Sequence, residues 1–341
     1  MHMADALISP AVGGAMWAVS AATIAYSSKR VKEDLDDRKV PLMGVLGAFV
    51  FAAMMINFTI PGTGSSGHLG GGLMLAVLLG PHAGFLVLSS VLVVQALFFA
   101  DGGLLALGCN IFNLGFFPAF VAYPFIYKKI VRGKVTPARM TSGATIAAIA
   151  GLQLGAFSVV LETLMSGISE LPFTTFALLM QPIHLAIGLV EGIVTASVVS
   201  FVWKASPQIL EVSETPTPSG KMPAKYLVTF LLLAAMITGG FLSWYASENP
   251  DGLEWSIAKV TGHEELTRQD GIHSFLASLQ GKTAFLPDYS FGTPEGIASE
   301  EPPNRDGRVG TSASGVVGGL FTLGLALVLG LFLKRRSIKD T

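Results

Sequence analysis

The chain opens Met1-His2-Met3, and its first two residues carry an unusual set of nitrogens. The free α-amine, the amide nitrogen between residues 1 and 2 and the His2 imidazole can close adjacent chelate rings on one ion. That ion must be able to displace an amide proton. A planar nitrogen set of this kind suits Ni2+ or Cu2+, and low-spin Co2+ as well. Ca2+ and Mg2+ prefer oxygen ligands, and Zn2+ prefers a tetrahedron. A fourth nitrogen would complete a square, and His68 offers one. It stands in IPGTGSSGHLGGG, residues 60–72, where the glycines let backbone approach closely.

The chemistry requires that Met1 be kept. A bulky second residue hinders removal of the initiator methionine. No Lys or Arg precedes the first apolar run, unlike the positive start of a signal peptide. The expectation is that the true terminus stays and threads into the fold.

Other polar residues lie in apolar surroundings. Asp101, in FFADGG, is expected on the same side of the membrane as His68, where it can orient an imidazole. Asn110 and Asn113 follow, three apart on one helix face, as site-supporting amides or as bonds between helices. His184 and Glu191 are seven apart and share a face. With Glu162 they are ionisable groups inside apolar segments, and a structural pairing between helices accounts for them. His82 reads as a capping or solvated residue at an inner turn, and His263 and His273 as surface residues. Cys109 is the single cysteine. It excludes an intrachain disulfide and reads as a small packing residue.

The elements that hold these residues are set by composition. Of 341 residues, 51% are hydrophobic and 13% charged, against about a quarter charged in soluble domains. A net charge of −1 gives no basic field for nucleic acid. Apolar runs cover residues 6–27, 41–60, 69–80, 83–100, 104–127, 138–165, 173–203, 226–246 and 313–333. Most reach the roughly 17–25 residues that a helix needs to cross a bilayer. The run 69–80 is short and is broken from the next at Gly80-Pro81.

Five Lys/Arg in residues 27–39, five in 127–139, three in 204–225 and four in 334–339 place these segments in the cytoplasm. Parity then puts the N-terminus and residues 61–70, 101–103 and 166–175 outside, and the C-terminus inside. The expected fold is an all-α polytopic membrane protein. Residues 1–204 form a seven-helix domain with an inserted N-terminus, and 205–225 a cytoplasmic linker rich in Pro, Ser and Thr. Residues 226–334 form a two-helix unit with an outer loop, 247–312, and 335–341 a basic tail. The outer loop is the most polar stretch of the chain, and it is expected to be partly disordered unless it docks. Gly239-Gly240 and Gly318-Gly319 read as the interface by which the second unit packs on the first.

MHMADALISPAVGG, GTGSSGHLGGGL, QALFFADGGLLALGCNIFN and HLAIGLVEGIVT resemble the CbiM/NikM family, the substrate-capture subunits of energy-coupling-factor transporters for cobalt and nickel. The resemblance spans residues 1 to about 204. It implies that Met1, His2 and His68 bind the metal and that seven helices surround the inserted terminus. It also implies partners: a CbiQ/NikQ-like coupling subunit and CbiO/NikO-like ATPases in a prokaryotic inner membrane. Pro250-Asp251-Gly252-Leu253-Glu254 followed by Trp255 resembles the PDGLE domain, a CbiN/NikN-like accessory unit, here fused to the first. Asp101 stands where many cobalt-associated relatives carry a histidine, which leaves Co2+ and Ni2+ both open. No intrinsic cofactor is implied; the metal is cargo, and the chain is not an enzyme.

Two other readings compete. Gly64-Ser65-Ser66-Gly67 fits the short pattern of a rhomboid-like intramembrane protease, with Ser66 as nucleophile and His184 as base. Alternatively, Glu162, Glu191 and Asp101 could couple a secondary transporter to an ion gradient. Gly281-Lys282-Thr283 resembles the tail of a phosphate loop, but Leu276 stands where the motif needs glycine. An ATPase motor would therefore come from other subunits.

Overall fold

The computed structural model describes residues 1–34, 39–133, 135–207, 222–264, 266, 268, 270–291 and 305–339. Among them the chain is almost entirely helical, as expected of an all-α membrane protein. In order come α1 (Pro10–Asp34), α2 (Lys39–Met54), β1 (Phe58–Ile60), β2 (Ser65–Gly67), α3 (Gly72–Leu79), α4 (Pro81–Phe99), α5 (Leu107–Val131), α6 (Pro137–Ser166) and α7 (Phe173–Ala205). The second unit contributes α8 (Ala224–Gly240), α9 (Gly252–Thr261), α10 (Gly271–Thr283) and α11 (Arg305–Lys339).

Five described helices are long and apolar enough to cross a membrane: α4, α5, α6, α7 and the 308–334 portion of α11. Helices α2 and α8 are shorter apolar helices. The expected break holds: Gly80 takes φ 85° between α3 and α4, and Pro81 begins α4, where its missing N–H costs nothing. Helix α5 runs in wide π-type turns over Phe112–Tyr127, which include Pro118 and Pro124. Prolines remove ordinary helical donors, and π turns are one way to absorb them.

Small residues set the helix crossings. A methyl group added at Gly188 would lie 2.8 Å from the Ile149 Cα, so α6 and α7 meet backbone to backbone. Their outer faces leave Leu154 and Leu161 of α6 and Leu178, Leu185, Leu189 and Ile193 of α7 exposed, as lipid-facing residues should be. The second unit docks through α11, where Gly318 packs on Phe51 of α2 and Gly319 faces Ala48. Gly239 has a different role from the one expected. It packs on the Gly315 backbone, closing α8 on α11 within the second unit.

The outer segment departs most from expectation. Within it α9 and α10 are folded and packed on the first domain, and α11 begins at Arg305, before the predicted 313. His273 is buried, not superficial. Its Nε2 donates to Ile8 O at 2.9 Å, and its Nδ1 meets Asp270 at 2.7 Å. Most of the linker, residues 208–221, lies outside the described residues, as do 292–304 and the side chains of the basic tail.

Candidate metal-capture site

The loop carrying His68 is built by a small hairpin. Phe58–Ile60 pairs antiparallel with Ser65–Gly67, and Gly62 and Gly64, each at φ 78°, turn the chain between them. His68 follows β2 directly. Its Nδ1 lies 3.0 Å from Leu69 O. A carbonyl only accepts, so Nδ1 carries the proton and Nε2 keeps a lone pair. That lone pair faces the Met1 amine at 3.0 Å. Burial, then the amine, then His2 push the His68 imidazolium down to about 3, so the ring is neutral at ordinary pH.

The terminal segment is held like a strand. Asn110 Oδ1 accepts from Met3 N at 2.8 Å, and its Nδ2 donates to Met3 O at 3.2 Å. Gly103 N donates to the same Met3 O at 2.9 Å. Asp5 Oδ1 accepts from Ala106 N at 2.9 Å. These bonds satisfy the extended backbone and aim residues 1 and 2 at the hairpin. Met1, His2 and His68 are thereby brought together, and the two imidazoles stack with centroids 4.9 Å apart and planes 8° apart.

Asp101 meets His2, as the sequence reading expected of an orienting carboxylate: Oδ1 lies 3.0 Å from His2 Nδ1. The other oxygen accepts a very short hydrogen bond from the Tyr289 hydroxyl. Burial alone would raise the Asp101 carboxyl; the adjacent His2 and the Tyr289 bond outweigh it and hold it well below the usual carboxylate range. His2 Nε2 is buried and has no hydrogen-bond partner among the described residues. Asn113 sits apart from the nitrogens. Its Nδ2 donates to Glu162 Oε2 at 2.7 Å and approaches the Met3 sulfur at 3.8 Å, so it supports the terminal segment from below.

Three contributors were not foreseen. Asp251, the helix-capping residue of α9, places Oδ2 2.5 Å from the Met1 amine. Its Oδ1 accepts from Leu253 N and Glu254 N, and Glu254 Oε2 accepts from Asp251 N in return. This capping box is legible in the spacing of Asp251 and Glu254; the amine contact is not. Tyr289 is the second. Glu191 is the third: its Oε2 accepts from Gly70 N at 2.7 Å and steadies the loop beyond His68, so its partner is loop backbone and not a side chain of another helix.

Asp251 reaches the site because its segment runs beside β2. Ser66 N donates to Pro250 O at 2.8 Å, and Ser66 Oγ donates to Asn249 O at 2.7 Å. The Ser66 hydroxyl is thus engaged with backbone, and His184 Nδ1 donates to Met180 O at 2.8 Å. The pair does not form a nucleophile–base contact, which removes the geometric basis of the protease reading.

No group of three His, Cys, Asp or Glu side chains able to hold a metal occurs among the described residues. The nitrogens brought together here are instead those of the terminal amine and two imidazoles.

The family profile described as CbiM, cobalt uptake substrate-specific transmembrane region, matches residues 2–209, and the PDGLE domain profile matches residues 225–335. A NikMN-type fused chain of Archaeoglobus fulgidus is 33% identical over 339 residues, covering 96% of this chain and 98% of that one. The fused nickel transport protein NikMN of Rhodobacter capsulatus is 29% identical over 317 residues, covering 85% and 88%. A crystal structure of a truncated transition metal transporter superposes with a TM-score of 0.52 at 32% identity, covering 59% of this chain and 98% of that one.

Proposed function

Since the chain belongs to the CbiM family of cobalt and nickel transport membrane proteins, with a PDGLE domain joined to it, we propose that it captures Ni2+ or Co2+ from outside the cell as the substrate-specific subunit of an ATP-driven energy-coupling-factor importer. The observation that carries this reading is the meeting of the Met1 amine, His2 and His68 in one buried place. The ion takes the amine, the residue-2 amide, the His2 imidazole and His68 Nε2. A nitrogen set discriminates against the far more abundant Mg2+ and Ca2+.

Capture is an exchange. The nitrogen of His2 able to close a ring with its own amide is Nδ1, which the structure shows on Asp101. The amine is on Asp251. The ion replaces both carboxylates; one proton leaves the amine and one the amide, and the proton that a neutral His2 donates from Nδ1 to Asp101 moves to the unpartnered Nε2, which frees the Nδ1 lone pair. Asp101 and Asp251 remain beside the ion and balance its charge.

Energy comes from partners: a CbiQ/NikQ-like coupling subunit and CbiO/NikO-like ATPases in the inner membrane, with this chain's N-terminus outside and C-terminus inside. The test is the metal content and Ni2+ affinity of purified protein with a native N-terminus, beside His2→Ala and His68→Ala. One ion per chain, lost in both variants, supports the site. Retention in His2→Ala refutes the terminal chelate. Uptake in cells that persists without the adjacent ATPases refutes the ATP-driven reading and favours a gradient-driven one.

A further inference from the structure

Helix α10 (Gly271–Thr283) presents three faces. One is turned to the protein. His273 Nε2 donates to Ile8 O at 2.9 Å, and Gln280 Nε2 donates to Ala96 O and to Gly102 O, each at 2.8 Å. The second face is exposed and apolar: Ile272, Phe275 and Leu279 are 43%, 66% and 42% exposed. At about 100° per residue these three fall within roughly 60° of one another. The third face is exposed and small or polar, made by Ser274, Ser278 and Gly281. The three faces stand roughly 120° apart on the same spacing.

A helix lying between protein and water needs one inner apolar stripe and one polar outer face. A separate exposed apolar stripe, flanked by a polar face, suits a helix that lies in a membrane surface. Lys282 borders the stripe, and its long stem can carry the ammonium up to the headgroups.

The stripe is continuous with the spanning helices. Phe285, two residues beyond α10, is 49% exposed. Its ring centroid lies 5.6 Å from that of Phe98 in α4 and 6.0 Å from that of Phe321 in α11. Phe321 is also partly exposed, and it is the midpoint of the apolar portion of α11, residues 308–334. It therefore stands roughly 20 Å along the helix from either end of that span. The hydrocarbon core of a bilayer is about 30 Å thick. The surroundings at the level of these rings are acyl chains, and the open side of Phe285 shares them with Phe321.

We propose that α10 is seated in the bilayer surface, with Ile272, Phe275 and Leu279 among acyl chains continuous with the lipid around α4 and α11, and with Ser274 and Ser278 facing water. The partner of this face is the lipid and not another protein. The seat fixes the height of α10, from which Gln280 holds Gly102 beside Asp101 and His273 holds Ile8. It requires no metal and stands whether or not the neighbouring nitrogens bind one.

The test is spin labelling of the full chain in phosphatidylcholine nanodiscs. Cys109 is the single cysteine and is buried, so a nitroxide reagent reports an introduced cysteine, with the unsubstituted chain as the labelling control. Four variants, Phe275→Cys, Leu279→Cys, Ser274→Cys and Ser278→Cys, change exposed side chains only. Collision rates are measured with oxygen, which concentrates in lipid, and with chromium oxalate, which stays in water. The expected ratio of oxygen to chelate collisions is several-fold higher at 275 and 279 than at 274 and 278. A common ratio at all four positions overturns the proposal. So do labels at 275 and 279 that neither probe reaches, because a protein surface then covers the stripe.

Discussion

The Met1 ammonium lies 2.5 Å from Asp251 Oδ2, a pairing across 250 positions of sequence. It joins the first residue of the chain to the N-cap of α9 in the PDGLE-like segment. The amine is also 3.0 Å from His68 Nε2, so one nitrogen links three separated segments. Burial pushes the Asp251 carboxyl up, but the ammonium, His68 and the bonds from the amine and Glu254 more than reverse this. The carboxylate is held well below its usual range.

Placing one residue ahead of Met1 removes the amine from this position. A peptide nitrogen there has no charge for Asp251, and it leaves the chelate one ring out of register. The expected outcome is loss of Ni2+ binding of at least 100-fold in a titration of purified protein, a magnitude typical of a lost metal ligand or its immediate support. Undiminished affinity would sink the terminal chelate.

Asp251 has two tasks, and two substitutions separate them. Asp251→Asn keeps a good helix cap but removes the charge beside the amine. Asp251→Ala removes both, and the cap alone is worth about 1 kcal/mol. Thermal melting of the full chain should fall in the order wild type, Asn, Ala. If Asn and Ala melt together, capping contributes nothing to docking of α9.

Gly103→Ala should damage the site without touching a ligand. A methyl group there overlaps Asp5, whose carboxylate is held by Ala106 N, while Gly103 N itself donates to Met3 O. The terminal segment must shift, at about 1–3 kcal/mol as for overpacked positions. Ni2+ affinity is expected to fall tenfold or more, while helix content measured by circular dichroism stays the same. Wild-type affinity would show that the terminus is not fixed by this contact.

Glu254 gives a pH signature. Burial and the neighbouring Asp251 raise its carboxyl from 4.5 to about 7. The folded protein thus holds the proton that the unfolded chain releases first. Its contribution to stability is complete below pH 4.5 and is lost as pH rises through about 7. His68, depressed to about 3, acts oppositely and costs stability as pH falls below 6.5. The difference in melting temperature between wild type and Glu254→Gln isolates the first effect. Wild type should gain on the variant from pH 7 down to 4.5; a constant difference across that window would refute the assignment.

Much of this protein was legible in its sequence. Apolar runs dictated helices, because a backbone in lipid must satisfy its own hydrogen bonds. Gly80-Pro81 dictated the break between α3 and α4. The amine and imidazole of residues 1 and 2 are adjacent covalently, so their joint chemistry needed no fold to be seen. Placing His68 in the same site needed only a glycine-rich loop at the expected membrane face.

Only the tertiary structure decided what surrounds those nitrogens. Nothing local distinguishes Asp251 as a helix cap from Asp251 as the partner of an amine 250 residues away. Nor does composition reveal that Tyr289 bonds Asp101, that Glu191 holds the Gly70 backbone, or that His273 is buried against Ile8. The outer segment is polar enough to suggest disorder by itself. It folds because the first domain offers bonding partners at β2, at residues 95–102 and at Ile8. Periodicity and charge report what a segment can do alone, whereas a long-range contact exists only when two distant segments pay their ordering entropy together.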